Sequence, residues 1–242
     1  MNQYARTELL LGAEGMARLH GARVALFGVG GVGGHAAEAL VRSAVHQIDL
    51  YDNDTVSLTN LNRQLIATRS TIGMYKVDAM ADRLRDIDPE VQVGAYRMFY
   101  MPENADEVDL SRYDYVIDAI DTVTAKLELI QRCDALGVPI ISAMGAGNKL
   151  DPTKITITDI YKTSACPLAR VMRTELRKRG VKHLTVAYST EPAMKVTAAD
   201  LADPQSATRR SVPGSTAFVP AAMGLIIAGR IVCDIAGKEP NE

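Results

Sequence analysis

The sequence predicts an α/β fold built on an open sheet, on three observations. An apolar, β-rich run from Val24 to Phe27 feeds a glycine cluster and then an alanine-rich helical pattern, Ala36 to Val41, so strand, tight turn and helix follow at once. Short apolar runs keep alternating with helical periodicities up to Ala143. Beyond that, Ile155, Ile157 and Ile160 alternate with polar residues, which announces an antiparallel extension of the sheet. At 242 residues the chain suits one domain with a sizeable core.

Taken in order, Leu9, Leu10, Ala13, Met16, Ala17 and Leu19 recur at helical spacing. One or two amphipathic helices therefore occupy residues 4 to 20, and Gly21 ends them. Arg6 near their start reads as a surface arginine. After the first strand, Gly28, Gly30 and Gly33 stand in G-x-G-x-x-G spacing with Gly31 between them. Glycines there permit positive φ and close approach of a phosphate to the N–H groups of a helix N-terminus. Gln47 to Tyr51 is the second strand and closes on Asp52. That residue lies about twenty positions after the last glycine, the spacing at which a carboxylate holds a ribose hydroxyl.

The next stretch, D-N-D-T-V-S-L-T-N-L-N-R-Q, gathers Asp52, Asp54, Asn60, Asn62, Arg63 and Gln64 in a turn-rich segment. Lys76 then opens a helix, Val77 to Ile87, which Pro89 ends. Arg63 and Lys76 bring fixed positive charge to a polyphosphate, the arginine as a two-oxygen clamp and the lysine as a point charge. A dehydrogenase has little use for them.

Val91 to Phe99 and Tyr113 to Ile120 read as the third and fourth strands. Ligands of open α/β sheets bind beyond the carboxyl ends of strands, so Asp121 belongs to the same crevice as the glycines. A carboxylate beside phosphates suits Mg²⁺. Asp121 or Thr122 also suits the cap of the following helix, Val123 to Leu136. Pro139 to Ala143 is a fifth strand ending in Gly145-Ala-Gly147, and His183 to Tyr188 is another strand. Between them a helix runs from Pro167 to about Arg179, with Arg170, Arg173 and Arg177 on one face and Leu168, Met172 and Leu176 on the other. That basic stripe is either a solvated face or a contact for nucleic-acid phosphates, and it carries no aromatic residues for stacking. Glu191 to Ser215 reads as a long loop carrying Arg209 and Arg210, followed by a buried apolar helix, Ala221 to Ala236.

Composition narrows the classes. Twenty-seven basic against 29 acidic residues restrict any polyanion site to a local patch. No signal-peptide order opens the chain, and Pro220, Arg230 and Asp234 interrupt the one long apolar run, against a bilayer span. Three scattered cysteines, Cys133, Cys166 and Cys233, fit a reducing cytoplasm and offer no C-x-x-C pair for zinc. Cys166 precedes a helix start but has no neighbouring histidine.

The set G-x-G-G-x-G, D-x-D-T-V, N-x-x-R-Q, Lys76 and strand-end Asp121 resembles the ATP-dependent adenylating superfamily typified by ThiF, MoeB, HesA and the ubiquitin-activating enzymes. Further stretches, Y-V-I-D-A-I-D, D-P-T-K-I, K-T-S-A-C-P-L-A and P-G-S-T-A-F-V-P, look like its tRNA threonylcarbamoyladenosine dehydratase branch, so the resemblance spans nearly the whole chain. It implies a doubly wound, Rossmann-like, mostly parallel sheet in a single adenylation domain over residues 1–242. Residues 22–147 would form the nucleotide-binding core and 148–242 the substrate and dimer half. It implies a homodimer, ATP and Mg²⁺, with Asp52 on the ribose, Asn60, Arg63, Gln64 and Lys76 around the phosphates, and Asp121 as the magnesium ligand and essential acid. Arg6 would reach across to the partner's ATP. Arg170, Arg173, Arg177, Arg209 and Arg210 become candidate tRNA contacts, and a sulfur-transfer protein a candidate partner. The implied reaction adenylates the threonyl carboxylate of the modified adenosine and closes a ring with loss of AMP and, overall, of water. Adenylation of a ubiquitin-like or sulfur-carrier protein is the first alternative, an NAD-dependent dehydrogenase the second and an inert nucleotide-gated scaffold the third.

Overall fold

The computed structural model describes residues 2–195 and 213–239. Its strands are Arg23–Phe27 (β1), Gln47–Tyr51 (β2), Gln92–Tyr96 (β3), Tyr115–Asp118 (β4), Ile140–Ala143 (β5), Ile155–Asp159 (β6) and Thr185–Ser189 (β7). They form one seven-stranded sheet in the order β3-β2-β1-β4-β5-β7-β6, parallel throughout except for the antiparallel β6–β7 pair at one edge. The central strands β1, β2 and β4 read as near-continuous apolar runs because both faces are covered.

The helices are Ala5–Gly21 (α1), Gly33–Arg42 (α2), Lys76–Ile87 (α3), Val123–Leu136 (α4), Pro167–Lys178 (α5) and Phe218–Ala236 (α6). One core lies between the sheet and α1, α2, α3 and α6, and two smaller ones lie on the opposite face under α4 and α5. Helices on both faces make the sheet doubly wound, as expected. The apolar helix α6 is long enough by length and composition to cross a membrane. Here it packs on α2, closely enough that a Cβ at Gly224 would run into the Val32 carbonyl. The last helix of the chain thus covers the helix that follows the glycine turn.

The open choice between one and two N-terminal helices is resolved, and three expected boundaries need correction. Residues 5–21 form two helical pieces, because Gly12 adopts φ 73° and ψ 165°. An unbroken helix would hold Tyr4 and His20 about 24 Å apart, yet their ring centroids are 5.9 Å apart, so the pieces fold back on each other. The third strand stops at Tyr96 rather than Phe99, since the Met98 N–H turns back to the Tyr96 carbonyl at 2.8 Å. The fourth is trimmed at both ends. Tyr113 closes a 3-10 turn through Leu110, and the Asp118 carboxylate accepts the Ile120 N–H that a ladder would need. Helix α6 begins at Phe218 rather than Ala221 because Pro220 falls in its first turn, where a missing N–H costs nothing.

Candidate functional site

The chain leaves β1 toward β2 on one side and reaches β4 on the other, so the carboxyl end of β1 is the topological switch point where open sheets bind ligands. The glycine turn sits there, and its glycines divide the work. Gly28 has φ +95°, and a Cβ on it would lie 2.5 Å from the Ala119 carbonyl oxygen; a Cβ on Gly33 would overlap the Gly28 carbonyl. Those two shape the turn. Around Gly30 the nearest atom to such a Cβ is Gln64 Nε2 at 4.0 Å, so the backbone there is open. Gly31 faces Pro220 and the Arg63 side chain at 3.2 and 3.5 Å.

Asp52, at the end of β2, accepts the N–H groups of Val29 and Asp54, both at 2.8 Å. Burial pushes its carboxyl above the ordinary 3.8, against the pull of the Lys76 ammonium and those two N–H groups. Lys76 is itself buried, 2.6 Å from Asp54 and 3.9 Å from Asp52. Asp54 is therefore the lysine's partner in this state. Arg63 flanks the turn with its guanidinium on the Thr59 carbonyl and the Asn62 side chain, at 3.0 and 2.9 Å. Asn60 is buried and accepts the Ser57 N–H, which braces this segment from within. Both cations are thus preset beside the glycines on acceptors that an anion can replace.

Gln64 is buried, and its Oε1 has no hydrogen-bond partner among the described residues. Buried polar atoms are nearly always paired, so an orphan beside an open glycine backbone fits a ligand that brings a donor. The raised Asp52 pKa sets a pH expectation. A hydroxyl donor needs the ionised carboxylate, and protonation begins above the usual carboxylate range. With Asp52 in the ribose-binding role that the sequence resemblance implies, adenosine, which carries no phosphate, should bind more weakly on acidification, and titration calorimetry should show that limb absent in Asp52→Asn. In the free protein the sign is opposite. A raised pKa stabilises the fold below the unfolded value, and that contribution is lost as pH rises through the folded one.

Asp121 is exposed in the β4–α4 turn, two residues beyond Ala119; its carboxylate meets only the Thr122 hydroxyl, at 3.3 Å, among the described residues. It is not the helix cap. Thr122 holds that position, without a side-chain cap bond. Beneath the turn lies a cluster that neither motif nor spacing announced. Lys126, fully buried, donates to Asp118 Oδ1 at 2.9 Å and to the Ile120 carbonyl at 3.1 Å, and Ser142 donates to Asp118 Oδ2 at 2.5 Å. A lysine on the stripe of Leu129, Ile130 and Cys133, all buried, was the signal available.

Other expected residues lie elsewhere. Arg6 is exposed near Tyr4, whose hydroxyl bonds the Val41 carbonyl and Asp88 at the amino edge of the sheet. That edge is one five-residue strand, about 16 Å, from Asp52. Arg170 is exposed, but Arg173 is committed to Thr163 and Arg177 lies over the Tyr161 ring at 5.3 Å, so the stripe is only partly available to a ligand. Arg209 and Arg210, with most of the 191–215 loop, lie outside the described residues. Cys166 is buried at the start of α5.

The chain is 44% identical over 241 residues to a tRNA threonylcarbamoyladenosine dehydratase of Bacillus subtilis, covering 97% of this chain and 95% of that one. Structures of the Escherichia coli tRNA N6-threonylcarbamoyladenosine dehydratase in complex with AMP and with ATP superpose with TM-scores of 0.87 and 0.85. Each is 32% identical, over 97% of this chain and 94% of theirs. The model of the ThiF family matches residues 3–242, and the chain belongs to that family.

Proposed function

We propose that this protein is an ATP-dependent tRNA threonylcarbamoyladenosine dehydratase: it adenylates the threonyl carboxylate of the modified adenosine and closes the ring with loss of AMP. The observation that carries the reading is the buried Lys76 ammonium, held by Asp52 and Asp54 at the mouth of an open glycine turn. A cation set there serves phosphates and has no task in hydride transfer. The dehydratase names of the relatives supply the substrate class.

In this reading the adenosine ribose bonds Asp52, the glycine backbone and Gln64 line the phosphates, and Lys76 and Arg63 exchange their present acceptors for phosphate oxygens. The exposed Asp121 is a hard oxygen donor with no cation partner among the described residues, which fits Mg²⁺. Bound magnesium would neutralise the charge developing on the leaving pyrophosphate. The protein aligns anions and needs no nucleophile of its own.

Residues 22–147 then hold the nucleotide, and 148–242 serve substrate and dimer contacts. Arg6 lies too far from its own crevice to serve it, so its role requires a second copy. Leu9 and Leu10, 85% and 81% exposed beside the Gly12 break, offer that copy an apolar surface. Leu9→Asp with Leu10→Asp should shift sedimentation from dimer to monomer. Three free thiols and a tRNA substrate suit the cytoplasm. Charge reversal at Arg170, Arg177, Arg209 and Arg210 should weaken tRNA binding and flatten its salt dependence, by about one unit of slope for each phosphate no longer neutralised. An unchanged slope removes these residues from the interface.

The deciding experiment incubates the protein with ATP, Mg²⁺ and total tRNA and weighs the modified nucleosides. A water-sized loss from the threonylated adenosine is expected. Pyrophosphate exchange stimulated by a carrier protein and not by modified tRNA would favour the ubiquitin-like alternative.

A further inference from the structure

We propose that Lys126, Asp118 and Ser142 are positioning residues that hold the β4–α4 turn so that Asp121 meets the nucleotide's metal; the inference rests on the reading of Asp121 given above. Lys126 and Asp118 have fully buried side chains, and their contacts join three elements. The ammonium binds Asp118 Oδ1 and the Ile120 carbonyl, and lies 3.5 Å from the Asp118 carbonyl, so it gathers the backbone of the turn around itself. Asp118 Oδ1 also receives the Ile120 N–H at 3.2 Å, and Oδ2 receives the Ser142 hydroxyl from β5. On the remaining side the Ala119 N–H donates to the Phe27 carbonyl at 2.8 Å, and Gly28 abuts the Ala119 carbonyl. Every residue from Asp118 to Ile120 is gripped, and the next one, Asp121, is exposed.

An apolar side chain at position 126 would pack with Leu129 and Ile130 without the desolvation cost of a buried charge. What it could not do is collect two main-chain carbonyl groups and a carboxylate at one point. The cluster therefore serves the shape of the turn, in the way that partners of metal ligands fix ligand orientation.

The double variant Asp118→Asn/Lys126→Met removes both charges together, so neither is stranded. It should melt near the parent and bind adenosine as the parent does, because adenosine needs only Asp52 and the glycine turn. Its kcat should fall about 100-fold with KM for ATP little changed. Mn²⁺ binding in the presence of a non-hydrolysable ATP analogue, read by electron paramagnetic resonance, should weaken about tenfold. Parental kcat and Mn²⁺ binding overturn the proposal. Should the double variant not fold, Ser142→Ala keeps the ion pair and should show severalfold losses in both readouts; parental values there overturn it equally. Asp121→Ala, run alongside, separates the two ideas. If it loses Mn²⁺ binding while the double variant keeps it, positioning alone fails. If Asp121→Ala retains both activity and Mn²⁺ binding, the metal-ligand reading fails and the positioning role falls with it.

Discussion

Asp121→Ala should retain the fold and the nucleotide while losing the chemistry, with kcat for tRNA dehydration down by about 10²- to 10³-fold. Adenylyl transfer builds charge on the departing pyrophosphate, and an interaction made with that charge lowers kcat when it is removed. The carboxylate is exposed and carries no ion pair among the described residues, so its removal should change stability by no more than about 0.5 kcal/mol. Single-turnover conversion of modified tRNA, read by nucleoside mass, together with a melting curve, checks both halves. A rate within tenfold of the parent, or a large fall in melting temperature, would show that Asp121 is not the acid of the reacting site.

Lys126→Met should be the most destabilising single change among the site residues. It leaves the Asp118 carboxylate in a fully buried position with only the Ser142 hydroxyl and an N–H to answer its charge. Breaking a buried pair from one side costs about 3–5 kcal/mol. For a chain of this size that corresponds to a fall in Tm of roughly 10 °C. Calorimetry of the free protein measures it. Recovery of most of that loss on adding Asp118→Asn would identify the stranded charge as the cause; a Tm within roughly 2–3 °C of the parent would mean that water or a neighbouring group takes over the lysine's role.

The local elements were legible because their signals are local. Val123–Leu136 and Gln47–Tyr51 match their periodicity at both ends, and the glycine spacing marks the turn after β1. Boundaries failed where a side chain or a turn took over a backbone group. Asp118 captures the Ile120 N–H, and Met98 turns back to Tyr96; neither event leaves a mark in hydropathy. The arginine stripe on α5 shows the same limit. Helical spacing placed Arg170, Arg173 and Arg177 on one face correctly, yet Arg173 is spent on Thr163, a partner ten residues away.

By itself the sequence determined the strand, glycine turn and helix, the acid closing β2, the cations that follow it and the antiparallel edge. These depend on spacing along the chain and on side-chain chemistry. Only the tertiary structure decided that Lys76 rests between Asp52 and Asp54, that the Gln64 side-chain oxygen finds no partner among the described residues, that Gly12 folds α1 back and that Lys126 is a buried anchor. Each of these is set by which atoms share a small volume, and burial makes their charges and unmet hydrogen bonds costly enough to matter. The order of residues constrains such encounters without stating them.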